Sequence, residues 1–89
     1  MAAKAEEKLI GRITHYYSRL NVGIIELTEG ELKVGDVIHI KGSHTDFTQT
    51  VDSIQVLHVS VSHAEKGRSA GIKVKDKVRE HDQVFRVSA

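Results

Sequence analysis

Leu32 to Lys41 reads LKVGDVIHIK, a stretch that joins a tight turn to a strand with two different faces. Gly35 can take the positive φ that a tight turn needs. After the turn, Ile38 and Ile40 point to one side of an extended chain, and His39 and Lys41 point to the other. This alternation predicts a β-strand whose apolar face covers a core.

The same texture continues on both sides of this stretch. Short blocks rich in β-branched residues are separated by Gly, Asp, Asn and Ser, and no block repeats its apolar residues with the spacing of a helix. Ser60–Arg68 is interpreted as a polar connection. The predicted fold class is all-β, with six blocks as strands: Leu9–Tyr17, Val22–Leu27, Val37–Lys41, Thr45–Val59, Ser69–Val74 and Gln83–Val87.

The block Thr45–Val59 cannot be one regular strand, because its apolar residues change phase between Val51 and Ile54. An extra residue at Asp52 or Ser53, which is a β-bulge, would keep both halves facing the core and would bend the strand. An open sheet of so few residues would leave long unpaired edges. We therefore predict a small closed barrel of six strands.

Length and composition limit what the chain can be. Its 89 residues allow one domain, which we place at residues 9–89 behind a flexible N-terminal tail, Met1–Lys8. Thirteen Lys and Arg face twelve Asp and Glu, so the formal net charge of +1 favours neither nucleic acid nor a membrane as partner. No apolar run approaches the roughly 18 residues of a membrane span. We expect a soluble, cytoplasmic protein without a membrane partner.

Known catalytic and cofactor motifs are absent from the sequence. Lys66-Gly67-Arg68-Ser69 resembles the end of a phosphate-binding loop, but the required earlier Gly is replaced by Ser62. No nucleotide or other cofactor is therefore expected. The chain has no cysteine, and no nucleophile stands beside a base and an orienting group. The isolated chain is not expected to be an enzyme.

Six histidines invite a metal hypothesis, but they lack the spacing of a zinc site. We interpret them as surface or half-buried residues that make ordinary hydrogen bonds, and we expect no metal. A metal-dependent enzyme that uses His39, His44 or His58 is the weakest alternative. The six are His15, His39, His44, His58, His63 and His81.

The strongest local signal for a partner is a row of four cations at every second residue: Lys73, Lys75, Lys77 and Arg79. If the segment is extended, all four lie on one face and can contact several phosphates of RNA. The alternative is a solvated edge that resists aggregation. Tyr17 and Arg19 form a second candidate patch, where an exposed ring could stack on a base. The alternative there is that Tyr16 and Tyr17 cap the two ends of the core.

In the order of its blocks, Leu9–Val87 resembles the second domain, a β-barrel, of translational GTPases such as elongation factor Tu. The resemblance implies a six-stranded Greek-key barrel of the translation-factor second-domain type. One departure is His81, which stands where the family has Gly in the turn before the last strand. The carrying residues are Ile10-Gly11-Arg12-Ile13, Val22-Gly23-Ile24-Ile25, Leu32-Lys33-Val34-Gly35-Asp36-Val37-Ile38, Ser69-Ala70-Gly71-Ile72-Lys73-Val74 and Asp82-Gln83-Val84-Phe85.

The resemblance implies a non-catalytic binding module whose partner is RNA, as tRNA or ribosome, or a protein of the translation machinery. The barrel is also similar to one at the C-terminal end of some collagenase-like peptidase family proteins. The alternative function is therefore a protein-interaction or accessory barrel for a separately encoded enzyme of that kind, without RNA binding.

Overall fold

The computed structural model describes residues 6–88 of the chain. The all-β prediction is confirmed, since these residues form strands and no helix. Ten strands follow in chain order: β1 Glu6–Tyr17, β2 Val22–Leu27, β3 Leu32–Lys33, β4 Val37–Lys41, β5 Asp46–Thr50, β6 Ile54–Val56, β7 Val59–Val61, β8 His63–Ala64, β9 Ser69–Lys73 and β10 Gln83–Ser88.

Eight of the strands make one antiparallel sheet in the order β5-β4-β10-β1-β2-β9-β6-β7, and β3 pairs with β8 in a separate two-stranded sheet. The turn predicted before β4 is confirmed. Gly35 has a φ of +95°, and the Asp36 carboxylate accepts a hydrogen bond of 2.9 Å from the backbone N–H of Lys33. The turn therefore aims β4 into the sheet as the sequence indicated.

The prediction of a closed six-stranded Greek-key barrel is wrong. Within residues 6–88, β5 and β7 are the two edges of an open sheet and pair with each other nowhere. The N–H of Val51 donates to Asp36 O, and the N–H of Gly35 donates to Val51 O, both at 2.8 Å, so pairing with the chain before β4 continues for one residue beyond β5. On its other side, β5 meets the chain after β9 through the Gln49 side chain and without a backbone ladder, which leaves the sheet open.

The phase change in the block Thr45–Val59 lies where it was predicted, but it is a break and not a bulge. Strand β5 ends before Val51, and β6 begins at Ile54. The break between the two strands resets the alternation, so the side chains of Val51 and Ile54 are both buried. Val59 begins another strand, β7, which pairs with β6 because the chain turns back on itself after Val56. Ser60–Arg68 is accordingly more than a connection, since it includes part of β7 and all of β8.

The N-terminal boundary also differs from the prediction. Strand β1 begins at Glu6 and pairs with β10 from its first residue, so Glu6–Lys8 belong to the sheet. The remaining part of the predicted tail, residues 1–5, lies outside the described residues. Backbone hydrogen bonds to β10 need only a neighbouring strand and do not depend on an apolar side-chain face. A polar segment can therefore be part of the sheet.

The core is a single aliphatic cluster inside the curved sheet. Each fully buried Ile, Leu or Val stabilises the fold by about 1.5–3 kcal/mol relative to its exposed state. Tyr16 and Phe47 pack against the cluster from its rim. Its members are Ile10, Ile13, Ile25, Leu27, Leu32, Ile38, Ile40, Val51, Ile54, Ala64, Ala70, Ile72, Val74, Val78 and Val84.

Strand β1 holds the sheet together because it pairs with β10 along its first half and with β2 along its second half. The two pairings overlap at Gly11 and Arg12, and Gly11 lies beside one of the register shifts of the strand. A Cβ atom at Gly11 would overlap the carbonyl oxygen of Glu26 on β2. The close approach of the two backbones therefore requires glycine.

We predict that Gly11→Ala lowers the free energy of unfolding by about 2 kcal/mol or more, because the backbone of β2 must move away. Urea denaturation measures the change. Gly71→Ala is the matched control in the same sheet, since its Cβ would meet side-chain methyl groups of Ile24 and Val22 at 3.3 and 3.6 Å. An equal loss in the two variants would contradict the account of Gly11.

Candidate functional site

The four predicted cations, here called the basic row, are Lys73, Lys75, Lys77 and Arg79. All four are exposed, while Val74 and Val78 between them are 5% and 2% exposed. Strand β9 ends at Lys73, and the chain bends at Lys75 and Asp76, which is itself exposed, so the extended segment expected from the sequence does not continue through the row. The row is a surface feature anchored by two core residues, and its predicted role in RNA binding stays a prediction.

Side-chain contacts attach the basic row to β5. The Gln49 amide donates to Lys73 O at 2.8 Å and accepts from the N–H of Lys75 at 2.9 Å. The Lys75 ammonium lies 5.9 Å from the centre of the Phe47 ring, within range of a cation–π interaction. At the far end, buried Asp82 accepts a hydrogen bond of 2.8 Å from the N–H of Arg79. The row is therefore held beside β5 without a backbone ladder.

The second predicted patch lies near the beginning of the basic row. Tyr17 is 49% exposed, and its ring stacks on His15 with centroids 6.3 Å apart. Arg19 is exposed in the turn after β1. The same turn reaches the row, because Asn21 O accepts a hydrogen bond of 2.8 Å from the N–H of Val74. The fold thus brings both predicted patches to one end of the sheet.

The two tyrosines lie on opposite faces of β1, as expected for neighbours on a strand. Tyr16 packs against the core, while Tyr17 is in contact with solvent. Tyr16 fits the structural alternative of a core cap. Tyr17 leaves a ring face available for a partner.

His39 is the centre of a charged cluster on the outer face of the sheet. Its Nδ1 lies 2.9 Å from Glu7 of β1, and its Nε2 lies 2.5 Å from Asp46 of β5. The hydrogen bond to Asp46 and the weaker one to Glu7 raise the pKa of His39 above its ordinary value. The same bond lowers the pKa of Asp46. A protonated His39 therefore links β1, β4 and β5.

This arrangement fits the interpretation of histidines as hydrogen-bonding residues. Both ring nitrogens of His39 are occupied by carboxylates, so neither is free to bind a metal. Across the described part of the chain, no group of three or more His, Cys, Asp or Glu side chains could hold a metal ion. His39, His44 and His58 are thus not brought together. Residues 6–88 also contain no helix of the length and apolar character that crossing a bilayer requires.

We predict that stability falls as pH rises above about 6.5, the ordinary pKa of histidine. Because the folded-state pKa of His39 is raised, its contribution is fully present below the unfolded pKa and is lost as pH rises through the folded pKa. His39→Gln should reduce this slope in urea unfolding measured from pH 5.5 to pH 9. His63→Gln, at a position without a carboxylate contact in residues 6–88, is the control. An unchanged slope in His39→Gln would contradict the assignment.

The hairpin of β6 and β7 is a feature that the sequence analysis missed. Its turn is Leu57-His58, with φ values of +53° and +64°, as in a two-residue type I′ turn. Asn-Gly is the usual pair in such turns, because other side chains are strained there. Leu57 is 83% exposed and Val59 is 60% exposed. The signal in the sequence is the pair of short apolar blocks separated by two residues, and the lack of Asn or Gly concealed it.

Replacing the turn by Asn-Gly, as Leu57→Asn with His58→Gly, should raise the free energy of unfolding by about 1 kcal/mol, because both positions then favour positive φ. Thermal and urea unfolding measure the gain. The control is Leu20→Asn, which should give no gain. It also removes an exposed leucine from a turn, but Leu20 itself does not have a positive φ. A loss of stability in the double variant would show that the turn is not strained.

Sequence comparison finds relatives of this chain among proteases. The chain is 39% identical over 85 residues to an uncharacterized protease of Methanocaldococcus jannaschii, a match that covers 94% of this chain and 21% of the protease. It is 38% identical over 82 residues to a collagenase of Porphyromonas gingivalis, with 91% of this chain and 23% of the collagenase covered. The chain thus spans about a fifth of the length of the curated relatives it matches. No family model matches the chain.

Comparison of structures agrees on the fold. The C-terminal domain of a Geobacillus thermoleovorans protein described as a U32 peptidase matches with a TM-score of 0.82 and 16% identity, over 89% of this chain and 91% of that chain. The selenomethionine variant of the same domain gives a TM-score of 0.81 over 86% of this chain and 96% of that chain. At 16% identity, this similarity supports a shared fold and nothing further.

The predicted kinship with translation factors is wrong. The relatives are proteases and collagenases, and the structural neighbours are a U32 peptidase C-terminal domain, not a domain of elongation factors. The positions that carried the resemblance are glycines and aliphatic residues that specify turns and a core, and unrelated families share such positions. What stands is similarity to part of collagenase-like proteases.

Proposed function

We propose that this chain is a non-catalytic accessory domain that works with a collagenase-like peptidase and docks on its catalytic portion. The observation that carries this proposal is the match itself. Nearly all of this chain aligns, at 38–39% identity, with about a fifth of two kinds of protease. A segment of that share leaves most of the protease to supply the catalytic residues.

The side chains of the described residues support a non-catalytic role. One hydroxyl–imidazole contact joins Thr14 Oγ1 to His15 Nδ1 at 3.4 Å, and it has little of the geometry of an activated nucleophile. The Thr14 hydroxyl also contacts Ile24 O, and the His15 ring stacks on Tyr17. Within residues 6–88, no carboxylate forms a hydrogen bond to His15, so none orients its imidazole ring. Such a pair stabilises a strand more readily than it attacks a peptide bond.

The hairpin of β6 and β7 is the surface best suited to docking. Leu57 and Val59 present apolar side chains to solvent at a turn that holds two non-glycine residues at positive φ. Exposed apolar groups cost solubility, and strained turns cost stability, so both features are typical of a contact surface. An apolar pocket on the catalytic portion would bury the Leu57 side chain.

RNA binding receives no support from the relatives. The net charge of +1 provides no long-range attraction to phosphates. A role beside a peptidase explains the similarity without an RNA partner.

The proposal is tested with a chimera of the Porphyromonas gingivalis collagenase in which this chain replaces the matched segment. We expect the chimera to hydrolyse gelatin and the collagenase without the segment to lose at least about nine-tenths of its activity, since a lost contact of about 1.4 kcal/mol changes binding tenfold. The chain alone should release no peptides from gelatin. Hydrolysis by the chain alone would contradict a non-catalytic role.

The docking surface is tested in the same chimera by Leu57→Asp, which places a charge at the hairpin turn. We expect activity to fall to the level of the deleted protein, because burial of an unpaired carboxylate opposes docking. Leu20→Asp is the matched control, because Leu20 is 60% exposed in the turn between β1 and β2. Equal activity in the two variants would exclude the hairpin as the docking surface.

A further inference from the structure

Strand β5 is an edge whose free backbone groups can be identified from its register. Gly42 and Thr45 exchange backbone hydrogen bonds across the turn that joins β4 and β5, with N···O distances of 2.7 and 3.4 Å. In an antiparallel ladder, bonded and non-bonded pairs alternate. The pairs of β4 with Phe47 and Gln49 are therefore bonded, and those with Asp46, Thr48 and Thr50 are not. The N–H and C=O groups of these last three residues point away from the sheet.

The sequence of β5 lacks the usual protection against strand pairing. Natural edges are short, bulged, covered by a loop, or carry Lys or Pro. Strand β5, with the sequence DFTQT, has neither Lys nor Pro, and its five pairs with β4 show no register shift. The segment of the basic row lies beside β5 through the Gln49 contacts and makes no backbone ladder with it, so a strand could add to β5 by displacing those contacts. The opposite edge, β7, has three residues and is protected by its length.

The basic row forms the far wall of two grooves along β5. One groove of about 500 Å³ is lined by Thr48, Thr50 and Asp52 on the side of β5 and by Lys73 and Lys75 on the other side. The other, of about 280 Å³, is lined by residues that include Asp46, Lys77 and Arg79. The same strand contributes to both grooves. They therefore follow one line along the edge.

The cations of the basic row have no ion-pair partner within residues 6–88. Three acids also line the grooves: Asp46, Asp52 and Asp76. Asp46 is bonded to His39, and the Asp76 carboxylate accepts a hydrogen bond of 2.8 Å from the N–H of Lys77. The far wall, residues 73–79, carries four cations and one carboxylate, so its charge is positive and complements an acidic partner.

We propose that an extended, acidic polypeptide segment adds to β5 as a further strand, with its carboxylates facing the basic row. Backbone hydrogen bonds to Asp46, Thr48 and Thr50 would supply affinity, as in other cases of strand addition. The carboxylates of the segment would lie near the exposed ammonium and guanidinium groups of the row and complement their charge. This site lies on the edge opposite the hairpin of β6 and β7, and it stands or falls independently of the proposed peptidase role.

The probe for the test is an eight-residue peptide that alternates Thr with Glu, compared with one that alternates Thr with Lys. Isothermal titration calorimetry measures affinity, and amide chemical shifts locate the contact. We expect the Glu peptide to bind, with the largest shifts at Asp46, Thr48 and Thr50, and the Lys peptide to bind at least about tenfold more weakly. No binding of the Glu peptide, or equal binding of the two peptides, would overturn the proposal.

Two variants separate the backbone contribution from the charge contribution. Thr48→Pro removes an outward N–H while leaving the ladder to β4 intact, as Pro on an edge strand does, and should abolish binding. Lys73→Gln with Lys77→Gln should weaken binding about tenfold. The control, Lys33→Gln with Lys66→Gln, changes the net charge equally at exposed positions away from β5. Unchanged binding in Thr48→Pro would exclude strand addition.

A single-stranded RNA of eight uridines is the other anionic probe. RNA has no backbone N–H to pair with a strand, so we expect weaker binding than for the Glu peptide and no dependence on Thr48→Pro. RNA that binds more tightly than the Glu peptide and is weakened by Lys73→Gln with Lys77→Gln would assign the row to phosphates and overturn the proposal.

Discussion

The close approach of β1 to β2 at Gly11 is the constraint on which the structure depends. The absence of a side chain lets the backbone of β1 lie against the Glu26 carbonyl while the strand still pairs with β10 on its other side. A strand shared in this way bends the sheet around one aliphatic core. The bend positions both edges, β5 and β7, without joining them. Candidate contact surfaces therefore lie at the two ends of the strand order.

Much of the strand arrangement could be predicted from the sequence, because alternation and turn residues are local properties. The bounds of β2 and β4 agree with the prediction, and Gly35 has the positive φ that its turn required. The positive φ of His81, +75°, was not predicted, because a non-glycine residue gives no local signal for it. The open sheet could not be predicted, because it depends on β5 meeting the chain after β9 through the Gln49 side chain and without a backbone ladder, and no local pattern records that long-range contact.

The candidate sites also divide into features that local sequence patterns predict and features that they do not. Exposure of the basic row could be predicted from its charges, but the bend at Lys75 and Asp76 that ends the extended conformation could not. The hairpin at Leu57 could not, because its turn lacks the residues by which such turns are recognised. The family was misidentified since the shared positions specify a scaffold, and the scaffold serves more than one family. Similarity to proteases over nearly the whole chain supplied what those positions could not.

Amide hydrogen exchange along β5 tests the open sheet most directly. The account predicts an alternating pattern, with fast exchange at Asp46, Thr48 and Thr50 and slow exchange at Phe47 and Gln49, because β4 protects one side of the strand. Uniformly slow exchange at all five amides would mean that another strand covers this edge. That result would contradict the open sheet and the site proposed along it.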